Sequence, residues 1–174
     1  PYTTLFRSGT GTGQEDSLVT AMLEEAFDLD VTYVPFSGGG EVAKNLIGGH
    51  IESTVNNPAE QLAFWKAGKS RPIATFTEER LDIMPDVPTM RELGHDIVYS
   101  MQRSFVGPPE MPAEAQAFYV EMFEQVAANE EWQTYAAEQA LLTDLLTGDA
   151  LQEHFLAERE KHRELLEQLG ELSG

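Results

Sequence analysis

The chain has 174 residues, of which 41% are apolar and 24% charged, so it can bury a core and is typical of one globular domain or two small ones. Its net charge is −19, and residues 104–158 contain no Lys or Arg, so nucleic acid and anionic membranes, which need clustered bases, are poor partners. Cysteine is absent, which excludes disulfides and thiolate metal sites. Such an acidic surface suits a salty (halophilic) habitat.

The first hundred residues alternate between helical and strand patterns. Leu18, Met22 and Leu23 recur at helical spacing, whereas the β-branched segment DVTYV is typical of a strand. In chain order the patterns predict a helix at 14–27, a strand at 30–34, a helix at 41–47, a strand at 51–55, a helix at 59–66 and a strand at 72–76. This alternation predicts an α/β fold with a parallel sheet.

The later residues are mostly helical. They predict a short helix at 89–93, extended pieces at 97–99 and 104–106, and helices at 113–129, 131–139 and 149–169. The last helix places Leu151, Phe155, His162, Leu165 and Leu169 along one side. A domain boundary is expected between residues 101 and 104.

Two glycine-rich loops precede predicted helices. In GTGTGQED we expect free N–H groups at 11–14 to point outward at a helix N-terminus, where a carboxylate or phosphate fits. VPFSGGGE repeats this arrangement after the next strand, and both loops would face one crevice at the strand ends. Two tight turns without a ligand explain the same residues equally well.

Other site patterns are weak. Asn56 and Asn57 follow the next strand and would add amide donors to the crevice, although a capping turn before Pro58 explains them at least as well. The dinucleotide pattern GxGxxG fails, since Gln14 and Asp16 stand where it needs a glycine, and the Walker pattern fails because no Gly-Lys-Ser/Thr occurs. The histidines show no metal spacing, and no GxSxG elbow occurs, so no metal, cofactor or catalytic residue is expected.

Five stretches in order resemble the substrate-binding proteins of tripartite tricarboxylate transporters, the Bug receptors. They are GTGTGQEDSL, VPFSGGGEVAKNLIGGHIE, NNPAEQLAFWKAGKSRPIA, PDVPTMRELG and QRSFVGPPEMP, and the likeness extends from about residue 9 to residue 170. The resemblance implies a type 2 periplasmic binding protein, a Venus flytrap whose two α/β lobes close over a small di- or tricarboxylate. It implies a monomeric, non-enzymatic receptor, periplasmic or otherwise extracytoplasmic, that delivers its ligand to membrane permease subunits.

The resemblance also implies domains and site residues. Residues 9–102 would be the second lobe, nearly complete, and residues 103–174 the C-terminal helical portion of the first lobe, with Arg103 near the hinge. Loop backbone and ordered water would hold the carboxylate. The implied ligand-binding positions are Gly11, Thr12, Gly13, Gln14, Asp16, Pro35, Phe36, Gly38, Gly39, Asn56 and Asn57.

Whole members of the family carry a first lobe ahead of this point. The resemblance therefore implies a C-terminal fragment that lacks the export signal and binds ligand weakly or not at all, because half of the clamp is absent. Residues 1–8, PYTTLFRS, resemble the translated end of a common sequencing adapter and are expected to be foreign. A genuine strand is the alternative, because YTTLF contains β-forming residues.

Two further functions stay open. An α/β enzyme acting on a phosphorylated small molecule would also use glycine loops, but it predicts a basic or catalytic residue there, and the sequence offers only Asp16 and Glu41. A helical interaction domain formed by residues 113–170 is the third possibility. The receptor for a small carboxylate is the function that the sequence favours.

Overall fold

The computed structural model describes residues 5–168, which divide into two compact units between Met101 and Gln102. The elements of the first unit are β1 Leu5–Gly9, α1 Glu15–Phe27, β2 Val31–Pro35, α2 Gly39–Ile47, β3 Ser53–Thr54 and α3 Pro58–Lys66. Those of the second are α4 Ala113–Ala127, α5 Glu130–Glu138 and α6 Gly148–Gln168. The predicted α/β class is confirmed, and among the described residues no helix is long and apolar enough to cross a membrane.

The sheet of the first unit is parallel and has the order β2-β1-β3. The central strand β1 pairs with β2 over its whole length, with Gly9 opposite Pro35, and with β3 through two residue pairs. α1 packs against β1 and β2, whereas α2 packs against β1 and β3. Because parallel crossovers are right-handed, the reversal of direction at β1 places these two helices on opposite faces of the sheet.

Apolar residues spaced along α1 explain why it folds onto the sheet. Val19 and Leu23 are buried and form a cluster with Met90 and Ile97 from the later loops. α1 ends at Asp28, whose left-handed backbone (φ 50°) stops the helix and whose N–H donates to a carbonyl of the last turn. This packing fixes the start of α1 against the end of β1.

The central strand includes residues 5–8, part of the segment that resembles a translated adapter. They occupy a strand position, as a genuine strand would, and their foreign origin stays a prediction. The strand carries two buried polar atoms, Nε of Arg7 and Oγ of Ser8, that have no hydrogen-bond partner among residues 5–168. Central strands of parallel sheets are usually runs of Val, Ile and Leu, so LFRSG is an unusual sequence for this position.

The predicted strand at 72–76 is wrong. Thr75 instead forms an isolated bridge with Thr89, and the carbonyl of Phe76 accepts the N–H of Tyr99 at 2.9 Å. Three nearby prolines lack the N–H that a ladder requires, so the segment pairs locally rather than extending the sheet. The predicted strand at 51–55 is reduced to the two residues of β3.

The predicted short helix at 89–93 is also wrong, because these residues form turns. The N–H of Leu93 donates to Met90 and that of Gly94 to Arg91, and Gly94 has a φ of 92°. A segment this short, closed by a glycine, does not repay the cost of nucleating an α-helix. The predicted extended pieces at 97–99 and 104–106 form no strand in the structure.

The second unit buries very little. Among its described residues Ala136 alone is fully buried. The residues predicted along one side of α6 differ in burial: Leu151, His162 and Leu165 are half-buried, whereas Phe155 is 39% exposed. Leu169 lies outside the described residues.

Candidate functional site

The three strands of the first unit end at one edge of the sheet, and each leads through a loop into a helix. The loops are residues 10–14 before α1, 36–38 before α2, and 55–57 before α3. We call them loops 1, 2 and 3. Ligands of open parallel sheets bind at this carboxyl edge, where the strand order reverses. The order β2-β1-β3 places that reversal at β1, so loops 1 and 3 flank it.

The buried carboxylate of Asp16 fixes the start of loop 1. Oδ2 of Asp16, in the first turn of α1, accepts the backbone N–H of Thr10 at 2.8 Å and its hydroxyl at 3.0 Å. The hydroxyl of Tyr33 on β2 donates to the carbonyl of Thr10 at 2.6 Å. Both polar backbone groups of Thr10 are thus fixed by side chains of neighbouring elements, so the start of loop 1 has one defined conformation.

Burial changes the acidity of this network. Desolvation raises the pKa of Asp16, and the hydrogen bonds from Thr10 oppose part of that rise. Desolvation, with the nearby Asp16 charge, raises the pKa of Tyr33 to about 12. Tyr33 therefore stays protonated and keeps donating to Thr10 throughout the neutral range.

Gly9, the last residue of β1, is required by this packing. A Cβ at Gly9 would overlap Cβ of Asp16 and lie 2.5 Å from the Tyr33 hydroxyl. Any larger residue would push apart the two groups that hold Thr10. The glycine therefore permits the close approach of α1 and β2 to the strand end.

The prediction of free N–H groups throughout 11–14 is wrong for two of the four residues. The N–H of Gly13 donates to Oγ of Ser17 at 2.8 Å, and that of Gln14 donates to the carbonyl of Gly11 at 3.1 Å. Within the described part of the chain, the N–H groups of Gly11 and Thr12 have no hydrogen-bond acceptor. The donors that loop 1 offers are therefore at its middle.

Loop 2 is bonded to the end of β1 and to the first turn of α2. The N–H of Phe36 donates to the carbonyl of Gly9 at 3.0 Å. The hydroxyl and N–H of Ser37 donate to Glu41 at 2.6 and 3.1 Å, and the Ser37 hydroxyl is the main cause that lowers the pKa of Glu41. Of the predicted positions in loop 2 and the start of α2, Gly38 and Gly39 keep N–H groups without an acceptor among the described residues. Pro35 has no N–H.

Loop 3 uses its asparagine side chains inside the protein. Nδ2 of Asn56 donates to Glu60 at 2.8 Å and to the carbonyl of Gly39 at 3.3 Å, while its Oδ1 accepts from Thr54 and Gln61. These bonds join the starts of α2 and α3. Asn56 therefore has no free amide donor for a ligand.

Asn57 is the N-cap of α3. Its N–H donates to Glu60 at 3.3 Å, the return bond of a capping box. Both asparagines thus belong to a capping turn before Pro58, which is the alternative that their sequence pattern left open.

Carboxylates, not bases, surround these loops. Asp16, Glu41 and Glu60 all lie at helix starts, and each accepts hydrogen bonds from a loop. Arg7 lies on the strand behind loop 1, and burial lowers its pKa. The loops themselves contain no Lys or Arg, so backbone N–H groups are the donors that the edge presents.

The structure brings the eleven predicted ligand-binding positions to this edge, in loops 1 to 3, the last residue of β2 and the first residues of α1 and α2. Arg103 instead belongs to the second unit, where it is exposed. In the described part of the chain no three His, Asp or Glu side chains are grouped as a metal site would need.

The family model described as "Tripartite tricarboxylate transporter family receptor" matches residues 4–164. The chain belongs to this receptor family. The resemblance drawn from the five sequence stretches is thereby confirmed, and the family consists of binding components of transport systems, not enzymes.

The curated relatives of this receptor are longer than the chain, and the chain matches only part of each. A UPF0065 protein from the TAR-I ttuE-ttuC' intergenic region of Agrobacterium vitis is 32% identical over 112 residues, which are 64% of this chain and 32% of that protein. Protein BugT of Bordetella pertussis is 28% identical over 83 residues, 48% of this chain and 26% of BugT. The chain thus matches about a third or less of their length.

A solved structure confirms the fold. The R. palustris protein Rpa4515, solved with adipate, superimposes with a TM-score of 0.88 at 20% identity, over 95% of this receptor chain and 56% of that protein. At this identity the likeness shows the fold alone, which is that of a periplasmic binding protein. The part of the fold seen here is therefore a little over half of the solved neighbour.

Sequence reasoning missed the groups that shape the loops. Thr10, Tyr33 and Glu60 were not singled out, although they position loops 1 and 3. The sequence signal for Glu60 was available, because Asn-x-x-Glu before a helix is a capping pattern. Tyr33 had no such signal, since its partner lies 23 residues away in the chain.

Proposed function

We propose that loops 1, 2 and 3 form one side of a binding site for a small organic carboxylate in an extracytoplasmic solute receptor. The observation that carries the proposal is a set of backbone N–H groups at Gly11, Thr12 and Gly38. They have no acceptor among the described residues and lie beside helix starts at one sheet edge. Such N–H groups and the positive ends of helix dipoles favour negative charge. The R. palustris protein was solved with adipate, a dicarboxylate, which agrees with this ligand class.

In this proposal the predicted positions have two different tasks. Backbone at Gly11, Thr12 and Gly38 contacts the ligand directly, whereas Gly39 is buried beside the Glu60 carboxylate. Asp16 and the asparagines position the loops, because their polar atoms are already bonded within the protein. Gln14 lies over Gly11, with its side-chain Cδ 3.2 Å from where a Cβ of Gly11 would be, and would border the ligand.

The acidic groups near the loops set a limit on the ligand. Asp16, Glu41 and Glu60 repel a second negative charge unless it stays at the N–H groups and away from them. The ligand's other carboxylate would therefore bind to the part of the receptor that lies opposite this edge. We propose that this part is the first lobe, with the first unit as the second lobe and Arg103 near the hinge between them.

The family assignment supports a cellular role in solute uptake. We propose a monomeric receptor in the periplasm that delivers the carboxylate to membrane permease subunits of a tripartite tricarboxylate transporter. The alternative enzyme for a phosphorylated substrate needs a base or nucleophile at the loops. The carboxylates there are engaged in hydrogen bonds, which supports the receptor instead.

Binding is tested by thermal shift with succinate, adipate, citrate and tartrate at constant ionic strength, with succinamide as the neutral control. A ligand at ten times its Kd would stabilise the chain by about 1.4 kcal/mol. We expect stabilisation by carboxylates at millimolar concentration and none by succinamide. Equal shifts with succinamide, or turnover of p-nitrophenyl phosphate, would contradict the proposal.

A further inference from the structure

The carboxylate of Glu60 lies against the start of α2, although Glu60 belongs to α3. A Cβ on Gly39, the first residue of α2, would overlap Cδ and both carboxylate oxygens of Glu60. Gly39 is buried and Glu60 is half-buried, so this carboxylate is packed against the helix rather than free in solvent. A negative charge of the protein itself therefore lies beside the positive end of the α2 dipole.

Hydrogen bonds hold this carboxylate through one of its two oxygens. Oε2 of Glu60 accepts Nδ2 of Asn56 at 2.8 Å and the N–H of Asn57 at 3.3 Å, whereas Oε1 accepts no hydrogen bond from residues 5–168. Within the same residues, no Lys, Arg or His forms an ion pair with Glu60. The position of the carboxylate is thus defined, while its charge is balanced only by two neutral donors.

The charge of Glu60 acts on loop 1 as well as on loop 2. Burial is the main cause that raises the pKa of Asp16, and the negative charge of Glu60 adds to that rise. Asp16 accepts the N–H and the hydroxyl of Thr10 at the start of loop 1. An anion bound at either loop therefore lies within the field of Glu60, and its repulsion grows in proportion to its own charge.

Compact anions with two charges would otherwise compete for these loops. Sulfate and phosphate are readily bound by free N–H groups at helix starts, and a site rejects such a competitor by placing a like charge against it. Glu41 lies at the same helix start, but it is exposed and already accepts both donors of Ser37. Because water screens an exposed charge, the half-buried Glu60 acts more strongly on an anion at Gly38.

We infer that Glu60 is a specificity-determining residue, which excludes compact doubly charged anions such as sulfate and phosphate from loops 1 and 2 and admits a single carboxylate group. The inference rests on the proposed function, because it assigns the charge of the group that the same edge accepts. A dicarboxylate satisfies this limit, since it places one charge at the loops and the other away from them.

Glu60→Gln tests the inference, because it removes the charge and keeps the shape of the side chain. The amide oxygen can accept from Asn56 and Asn57 as Oε2 does, and the amide nitrogen replaces Oε1, which has no hydrogen bond to lose. The variant is therefore expected to fold as the wild-type chain does, which its ¹⁵N–¹H NMR spectrum checks.

Titrations with sulfate and with acetate, at constant ionic strength, follow the N–H groups of Gly11, Thr12 and Gly38 in both chains. We expect Glu60→Gln to raise the affinity for sulfate at least tenfold. The affinity for acetate should rise only about threefold, because repulsion of one charge costs half as much free energy as repulsion of two.

Two control variants separate the position of the charge from net charge and from packing. Glu25→Gln removes the same charge from an exposed position near the end of α1, so it should leave the affinity for sulfate unchanged. Glu60→Asp shortens the side chain and keeps its charge, so it should gain no sulfate binding even if loop 3 loosens.

Equal sulfate affinity in the wild-type chain and in Glu60→Gln, or an equal gain in either control, would overturn the inference. Absence of sulfate binding in both chains would overturn it as well, because removal of the charge should admit the anion. Failure of the proposed function is a different result: neither acetate nor succinate would bind to the wild-type chain. A gain of sulfate binding in Glu60→Gln would still support the role of Glu60 in that case.

Discussion

Removing the carboxylate of Asp16 should destabilise the first unit and loosen loop 1. In Asp16→Ala the N–H and hydroxyl of Thr10 lose their acceptor in a site where Asp16 is only 6% exposed. A hydrogen bond to a charged group contributes about 1.5–3 kcal/mol, so two such bonds bound the loss at about 3–6 kcal/mol. Relief of the buried charge offsets part of this loss.

We therefore expect a net loss of about 2 kcal/mol for Asp16→Ala, which for a unit of this size lowers Tm by about 8–16 °C. Thermal and urea unfolding followed by Trp65 fluorescence, in a Trp132→Phe background, measures the first unit specifically. Asp82→Ala is the matched control, because Asp82 is exposed and makes no hydrogen bond or ion pair with the described residues. Equal losses for the two variants would refute the role of Asp16 under loop 1.

Three other changes have defined outcomes. Gly39→Ala should cost about 1–3 kcal/mol in unfolding experiments, because a Cβ there would displace the Glu60 carboxylate and break its hydrogen bonds with Asn56 and Asn57. Gly40→Ala, on the same helix with open space around it, should be neutral or stabilising. Arg7→Leu should raise the free energy of unfolding, because Nε of Arg7 is buried without a partner. Asp16→Asn should remove a pH dependence of the free energy of unfolding. Because the pKa of Asp16 is raised in the folded state, its contribution to that free energy falls as pH rises from about 4 toward neutrality. Urea unfolding at a series of pH values measures this dependence.

Each of these has a result that counts against it. Similar losses in both glycine variants would mean that the Glu60 contact does not decide the cost. A destabilising Arg7→Leu, with no effect of the control Arg71→Leu at an exposed position, would mean that the guanidinium is favourably paired in solution. An unchanged pH slope in Asp16→Asn would mean that the carboxyl titrates normally.

The sequence predicts those features that depend on local pattern. The spacing of Leu18, Met22 and Leu23 predicts α1 to within one residue at its start, and the two glycine loops follow the ends of the adjacent strands β1 and β2. The strand at 72–76 fails because its fate depends on pairing between Thr75 and Thr89, a non-local contact. The pattern of apolar residues within the five-residue segment 72–76 does not show that Thr75 will pair with Thr89.

Within the site, the type of a residue predicts where it lies in the fold better than it predicts which of its polar groups are free to bind a ligand. Glycine at Gly11 and Gly38 correctly marks backbone near a strand end, but the type alone does not reveal which N–H groups are already bonded. That depends on side chains such as Ser17 and Glu41, which lie one helical turn further along. Asn56 illustrates the same limit, because its amide bonds to Gly39, 17 residues away.

The most direct test of the carboxylate site is a ¹⁵N–¹H NMR titration of the chain with adipate or succinate. We expect the largest shifts at the N–H groups of Gly11, Thr12 and Gly38, with smaller shifts at Gly13, whose N–H is already bonded to Ser17. Shifts of that pattern with the dicarboxylates and not with succinamide would support one side of an anion site at this edge. Equal movement at Gly13, or no movement at these loops up to about ten-millimolar ligand, would contradict it.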